Sequence, residues 1–187
     1  MKVNNSPNIM IDIETLGLKP GSGIWQIGAV VLGRPDLTFN ETINPWRLVG
    51  VPGISPDTNT ISWQLLSNSE NFQAACKLAV VANERQLIKS FTDWLTYVKN
   101  YYFSNDPINF WQKRNFDEPF LTEAMQRYGV LTPWKYYQWN DLGTLCNFYN
   151  SPVPKFEGAH DAFEDAKHQA LHLENLINTY LTNHDNC

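Results

Sequence analysis

The chain has 187 residues and a net charge of −5, with 43% hydrophobic, 13% aromatic and 18% charged residues. That length and composition suit one domain with a sizeable core and do not suit a disordered chain. The acidic balance excludes a broadly basic nucleic-acid coat and a polybasic membrane binder, but not a local basic groove or an acidic cluster that holds cations.

The first residues, MKVNNSP, lack the apolar stretch of a signal peptide. No apolar run approaches the ~18–20 residues that span a bilayer, so no membrane association is expected. Residues 8–14 (NIMIDIE) read as a buried strand and 24–32 (IWQIGAVVL) as a second. Lys19-Pro20-Gly21-Ser22-Gly23 between them is turn chemistry and predicts a hairpin. A third strand is expected at 39–43. Residues 44–60 are rich in Pro, Gly, Asn and Thr and read as a long loop, with a helix beginning near Trp63 beyond it.

Helical periodicity then takes over. Over 83–99, Leu87, Ile88, Phe91, Trp94, Leu95 and Val98 form one apolar stripe. Residues 107–111 predict a short strand, and 117–128 a helix with Phe120, Leu121, Ala124, Met125 and Tyr128 inward. A strand at 136–139, a short helix at 141–149 and a long closing helix at 159–181 complete the chain. Antiparallel strands followed by strands alternating with helices indicate a single α/β domain over 1–187, a mixed sheet flanked by helices. Cys76, Cys146 and Cys187 are odd in number and far apart. They argue against a disulfide framework or zinc site and make a reducing cytoplasm the expectation.

Three acidic signals stand out. Asp12 and Glu14 alternate with Ile11 and Ile13, so both carboxylates point to one face of the first strand. No Lys or Arg occurs between Val3 and Leu18 to pair with them, and a divalent cation would suit; a strand ending at Asp12 with both acids solvated is the alternative. Asp117 stands where a strand gives way to a helix, suited either to capping that helix or to a site. His160 and Asp165 are five apart at the start of the closing helix, and Asp161 and Glu164 are ordinary for a helix start. D-x-E and H-x4-D each occur once, on either side of the F-D at 116–117.

In that order, IDIETLGLKPGSGIWQIGAV, WQKRNFDEPFL and GAHDAFEDAKHQA resemble the three motifs of the DEDDh branch of proofreading-type 3′→5′ exonucleases. The resemblance covers about residues 8–180 and points to the small, stand-alone bacterial and phage members. It implies an RNase H-like fold and hydrolysis of single-stranded RNA or DNA from the 3′ end, releasing 5′-mononucleotides. It also implies two Mg²⁺ ions, replaceable by Mn²⁺, as hard oxygen ligands suit. By resemblance, Asp12 bridges both ions, Glu14 and Asp165 complete the first site, Asp117 holds the second ion, and His160 is the general base.

The resemblance further implies that Thr15, Leu16 and Gly17 pack on the 3′-terminal nucleotide. Many relatives carry Asn or His shortly before the second-motif Asp; this chain has Gln112, Lys113, Arg114 and Asn115. Gln112 could replace that donor, and Lys113 and Arg114 could meet phosphates or form a solvated loop. Trp63 could stack on a base or be core, and Trp134, Tyr136, Tyr137 and Trp139 read as core or interface. Many relatives are dimers, and the aromatic surplus permits a homodimer. Two rival readings stay open: a non-catalytic nucleic-acid end-binding module on the same fold, and a metal phosphohydrolase acting on other substrates.

Overall fold

The computed structural model describes residues 7–67, 69–78, 83–103, 106–156 and 160–181. Strands β1 (Asn8–Thr15) and β2 (Ile24–Val31) form the predicted hairpin, with Asp12 opposite Gly28 and Glu14 opposite Gln26. Strand β3 (Arg34–Thr42) begins five residues before the expected start. Pro35 and Asp36 look like turn residues in the sequence. Proline is tolerated here because β3 is an edge strand, where a missing N–H costs little.

The long loop is less irregular than its composition suggests. It holds a helical turn, Pro45–Leu48, capped by the Asn44 side chain. Helix α1 (Thr58–Ser67) starts five residues ahead of Trp63, with Asp57 Oδ1 accepting from Thr60 N at 2.8 Å. Helix α2 (Ser69–Cys76) was not expected. Of the α1 side chains only Gln64 is buried, so no apolar stripe announces that helix. Helix α3 (Glu84–Tyr102) does bury the predicted Leu87, Ile88, Phe91, Leu95 and Val98.

Strand β4 (Asn109–Gln112) leads into helix α4 (Asp117–Arg127). The expected strand at 136–139 is displaced: Tyr136–Gln138 form a helical turn, and strand β5 is Trp139–Asp141. Helix α5 (Leu142–Phe148) follows, capped by Asp141. Helix α6 (Ala162–Leu176) continues as a wider helical turn over Ile177–Leu181. Its expected start at Ala159 lies outside the described residues.

The sheet order is β3-β2-β1-β4-β5; β1, β2 and β3 are antiparallel, and β4 and β5 run parallel to β1. This is the mixed α/β sheet the sequence implied. Alternation divides β1 between two cores. Ile9, Ile11 and Ile13 join the larger one with Phe91 and Phe120. Met10 joins the other with Leu142, Ala166 and Leu173 of α5 and α6. Asp12 and Glu14 continue the Met10 face, so α6 covers that face up to the carboxylates. Trp134 belongs to the larger core, against Phe110 and Trp139, whereas Tyr136 and Tyr137 are exposed.

Glycine 28 sets how closely α6 approaches. A Cβ there would lie 2.3 Å from the Ala162 carbonyl oxygen, a backbone atom that cannot swing aside. The Gln26 side chain on the same face accepts from Ala162 N at 3.1 Å and donates to Asp161 Oδ2 at 3.1 Å. A glycine and a glutamine thus dock the start of α6 onto β2. Gly28→Ala is expected to destabilise the fold by about 1–3 kcal/mol, the usual range for overpacking. A thermal melt checks this; a variant as stable as wild type would show that α6 does not depend on the close approach.

Candidate active site

Docking α6 on β2 carries Asp165, in its first turn, to the end of β1 where Asp12 and Glu14 stand. One carboxylate oxygen from each of Asp12, Glu14 and Asp165 lies within 4.8 Å of the other two. Glu14 is 8% exposed and Asp117 only 2%, while Asp12 and Asp165 are half-buried. Asp117 does not cap α4. Its Oδ1 accepts from Ile13 N at 3.0 Å, tying the helix to β1 between the two strand acids. Gln112 takes over at the helix start, its Oε1 accepting from Glu118 N at 2.9 Å.

Neutral amides hold the carboxylates. Gln169 Nε2 donates to Asp12 Oδ1 at 2.8 Å, and Gln64 Nε2 donates to Glu14 Oε2 at 3.1 Å. Among the described residues no Lys or Arg forms an ion pair with Asp12, Glu14, Asp117 or Asp165. Burial, then the Asp165 charge, pushes the Asp12 carboxyl up to about 7. Burial and the Asp12 charge hold Glu14 and Asp117 well above the ordinary carboxylate range. The Lys113 charge offsets only part of this at Asp12. Clustered, desolvated oxygen donors in no salt bridge among the described residues fit hard divalent cations.

This makes stability depend on pH. The folded, cation-free chain keeps an Asp12 proton that the unfolded chain, titrating near 3.8, has released. The contribution is therefore full below 3.8 and lost as pH rises to about 7. In EDTA the melting temperature is expected to fall between roughly pH 4 and pH 7. Mg²⁺ is expected to raise it more at the upper end, where protons no longer compete. Asp12→Asn should flatten the EDTA curve; the same slope in that variant would contradict the assignment.

His160 is held from three sides. Its backbone N donates to Asp165 Oδ2 at 2.8 Å, its carbonyl accepts from Asn71 Nδ2 at 2.6 Å, and its ring meets Trp63 edge-on at 4.6 Å. Its φ of 76° lies in the left-handed region, where a non-glycine residue costs about 1–3 kcal/mol. Asp161 is structural: it caps α6, accepting from Phe163 N and Glu164 N at 3.0 Å each.

The cleft has a volume of about 720 Å³, and Asp12, Glu14, Asp117, His160 and Asp165 all line it. Thr15 and Trp63 line it too, Trp63 being 41% exposed. Other expected substrate contacts differ. Leu16 is 1% exposed in the core, and Leu18, 77% exposed, lines the cleft in its place. Alternation and the bulge after Glu14 turn Leu16 inward. Gly17 is packed against Ser22, whose Oγ would lie 2.4 Å from a Cβ there, so its lack of a side chain serves the turn. Gln112 is 3% exposed and committed to α4, not to the cleft. Lys113 and Arg114 do line it. The sequence reading missed Gln26, Gly28, Gln64 and Gln169. Only the first two left a signal, a polar residue and a glycine inside an otherwise apolar strand.

Residues 7–177 match a family model described as the 3′-5′ exoribonuclease Rv2179c-like domain. No curated protein matches. Among solved structures, the Mg²⁺- and Mn²⁺-bound form of S. pombe Pop2p is similar with a TM-score of 0.53 and 13% identity, over 96% of this chain and 86% of that one. The crystal structure of cell-death related nuclease 4 (CRN-4) has a TM-score of 0.49 and 17% identity, over 94% of this chain; this chain spans 64% of that protein. The family match and the Pop2p likeness identify the sheet and its helices as an RNase H-like fold.

Proposed function

The chain belongs to the Rv2179c-like 3′-5′ exoribonuclease domain family, and on that premise we propose that it hydrolyses single-stranded nucleic acid from the 3′ end, releasing 5′-mononucleotides. RNA is the substrate that the family description favours. The observation that carries the reading is the convergence of the Asp12, Glu14 and Asp165 carboxylates in a cleft that His160 also lines.

Asp12, Glu14 and Asp165 would hold one divalent cation, and Asp12 and Asp117 a second. When bound, two such ions neutralise the phosphate and stabilise the attacking and leaving oxygens. His160, held by Asp165, Asn71 and Trp63, takes the proton of the attacking water. The amides of Gln64 and Gln169 orient the acids without cancelling the charge that attracts cations. Trp63 and Leu18 offer apolar surface to the terminal nucleoside, leaving the scissile phosphate over the acids. The bond from phosphorus to the 3′-oxygen of the preceding nucleotide breaks, and that oxygen leaves with a proton. Among the described residues no helix is long and apolar enough to cross a membrane. The free thiols Cys76 and Cys146 support a reducing cytoplasmic setting as part of this proposal.

The test is incubation of 5′-labelled single-stranded RNA and DNA with Mg²⁺, Mn²⁺ or EDTA. Stepwise shortening of RNA with either metal and 5′-mononucleotide products are expected. Undiminished hydrolysis in excess EDTA, or cuts in a circular strand, would refute the reading. Binding of 3′ ends without turnover would favour the end-binding module.

A further inference from the structure

A second cleft of about 660 Å³ adjoins the first. It opens between the loop joining β4 to α4, the start of α5, and the 151–156 segment that precedes α6. Lys113, Arg114 and Asp165 line both clefts, so the two are continuous past the acid cluster. The loop between them bends through two left-handed residues, Arg114 at φ 65° and Asn115 at φ 51°. Its first turn is pinned by Arg114 N donating to Asp141 Oδ1 at 2.6 Å.

The charge here is unusual for an acidic protein. Lys113, Arg114 and Lys155 meet at this cleft, and among the described residues none of the three forms an ion pair. Among the described residues, Asp141 and Asp165 line the same cleft, and Lys113 also feels the Asp12 charge from the neighbouring one. Asp141 is already committed, accepting from the Arg114, Gly143 and Thr144 amides and from the Thr144 hydroxyl. Asp165 belongs to the acid cluster. Three cations in no salt bridge among the described residues, beside a site for phosphate chemistry, are suited to a phosphodiester chain. The cleft also holds an aromatic ring. Phe156 is 37% exposed and stacks on His168, with ring centres 5.0 Å apart and planes at 18°. A supported, partly open ring beside cations is the pattern that takes a base and its backbone without reading sequence.

We propose that this second cleft binds the nucleotides immediately 5′ of the scissile phosphate. Lys155, with Lys113 and Arg114, meets their backbone, and Phe156 carries a base. The proposal rests on the exonuclease reading and deepens it. The strand then enters along the second cleft, passes Lys113 and Arg114, and places its last nucleotide in the first. This path would let the enzyme favour an oligonucleotide over a lone nucleotide ester although both share one reaction centre.

The test compares two substrates with Lys155→Ala and Phe156→Ala, residues that line only the second cleft. One substrate is a single-stranded RNA heptamer. The other is the p-nitrophenyl ester of a nucleoside 5′-monophosphate, whose leaving group replaces the upstream nucleotide. Phe156→Ala is expected to raise KM for the heptamer about tenfold. Lys155→Ala should lower the slope of log KM against log salt concentration by about 0.7, the loss of one single-strand phosphate contact. Kinetics on the ester report on the first cleft alone and should stay as in wild type. Equal losses on both substrates would mean the variants disturb the fold, and no change on the heptamer would mean the strand does not use this cleft. Either overturns the proposal. If wild type cleaves the ester but not the heptamer, the second cleft is refuted while the reaction centre stands; if it cleaves neither, both readings fall.

Discussion

Asp12→Asn and Asp165→Asn are each expected to lower hydrolysis by roughly 10³-fold or more, since metal-assisted stabilisation of the transition state is worth several kcal/mol at about 1.4 kcal/mol per tenfold. Asparagine is the informative replacement because it keeps the shape. Its amide oxygen can still accept from Gln169 at position 12 and from His160 N at position 165, where the native carboxylates accept at 2.8 Å. What it removes is charge. Asp12 titrates near 7 because it is desolvated beside Asp165, so at higher pH the ionised cluster opposes folding until a cation joins it. The cation-free variants should therefore melt at or above wild type. They should also lose the Mg²⁺-dependent rise in melting temperature, which reflects a stabilisation of about 2.7 kcal/mol for a ligand at 100 times its Kd. Activity without that rise in wild type, or variants that respond to Mg²⁺ as wild type does, would show that the acids are not the cation site.

That cluster was legible from the sequence because each member sits on an element whose period can be read. Asp12 and Glu14 follow Met10 on one face of an alternating strand, and Asp165 is one turn into a helix whose Ala166, Ala170 and Leu173 face the sheet. Asp117 was ambiguous locally, since a helix start offers an acid its own amides. Only the fold shows that it serves Ile13, 104 residues away in sequence. The wall of the cleft was less legible. Helix α1 buries a glutamine and exposes Leu65 and Leu66, so no apolar period marks it. Its role is to bring Gln64 and Trp63 to the acids, and that selects polar and aromatic residues over a stripe. Leu16, Gly17 and Gln112 show the opposite failure. Each lies beside a motif in sequence, but strand alternation, a tight turn and a helix start commit them elsewhere.

His160→Ala is expected to lower kcat by about 10²–10⁴-fold, the usual worth of general acid–base catalysis. The affinity for Mn²⁺ should change little, because the proposed mechanism gives the cations to the acids and not to the imidazole. The two histidines of α6 provide the control. His172 Nε2 lies 3.1 Å from the Ser151 carbonyl oxygen, and His168 supports Phe156 in the second cleft. His172→Ala should leave kcat as it is. His168→Ala should alter KM for oligonucleotides without touching hydrolysis of the nucleotide ester. His160→Gly separates catalysis from stability at the same position. With φ at 76°, alanine keeps the left-handed strain and glycine releases it, a difference of about 1–2 kcal/mol. Both variants should be inactive to the same degree while the glycine variant melts above the alanine one. Added imidazole should restore part of the rate in both, since the space left by the ring opens onto the cleft. If His160→Ala keeps its activity and either control loses it, the general base lies on α6 and not at the residue before its cap. The strain at His160 would then have no catalytic purpose.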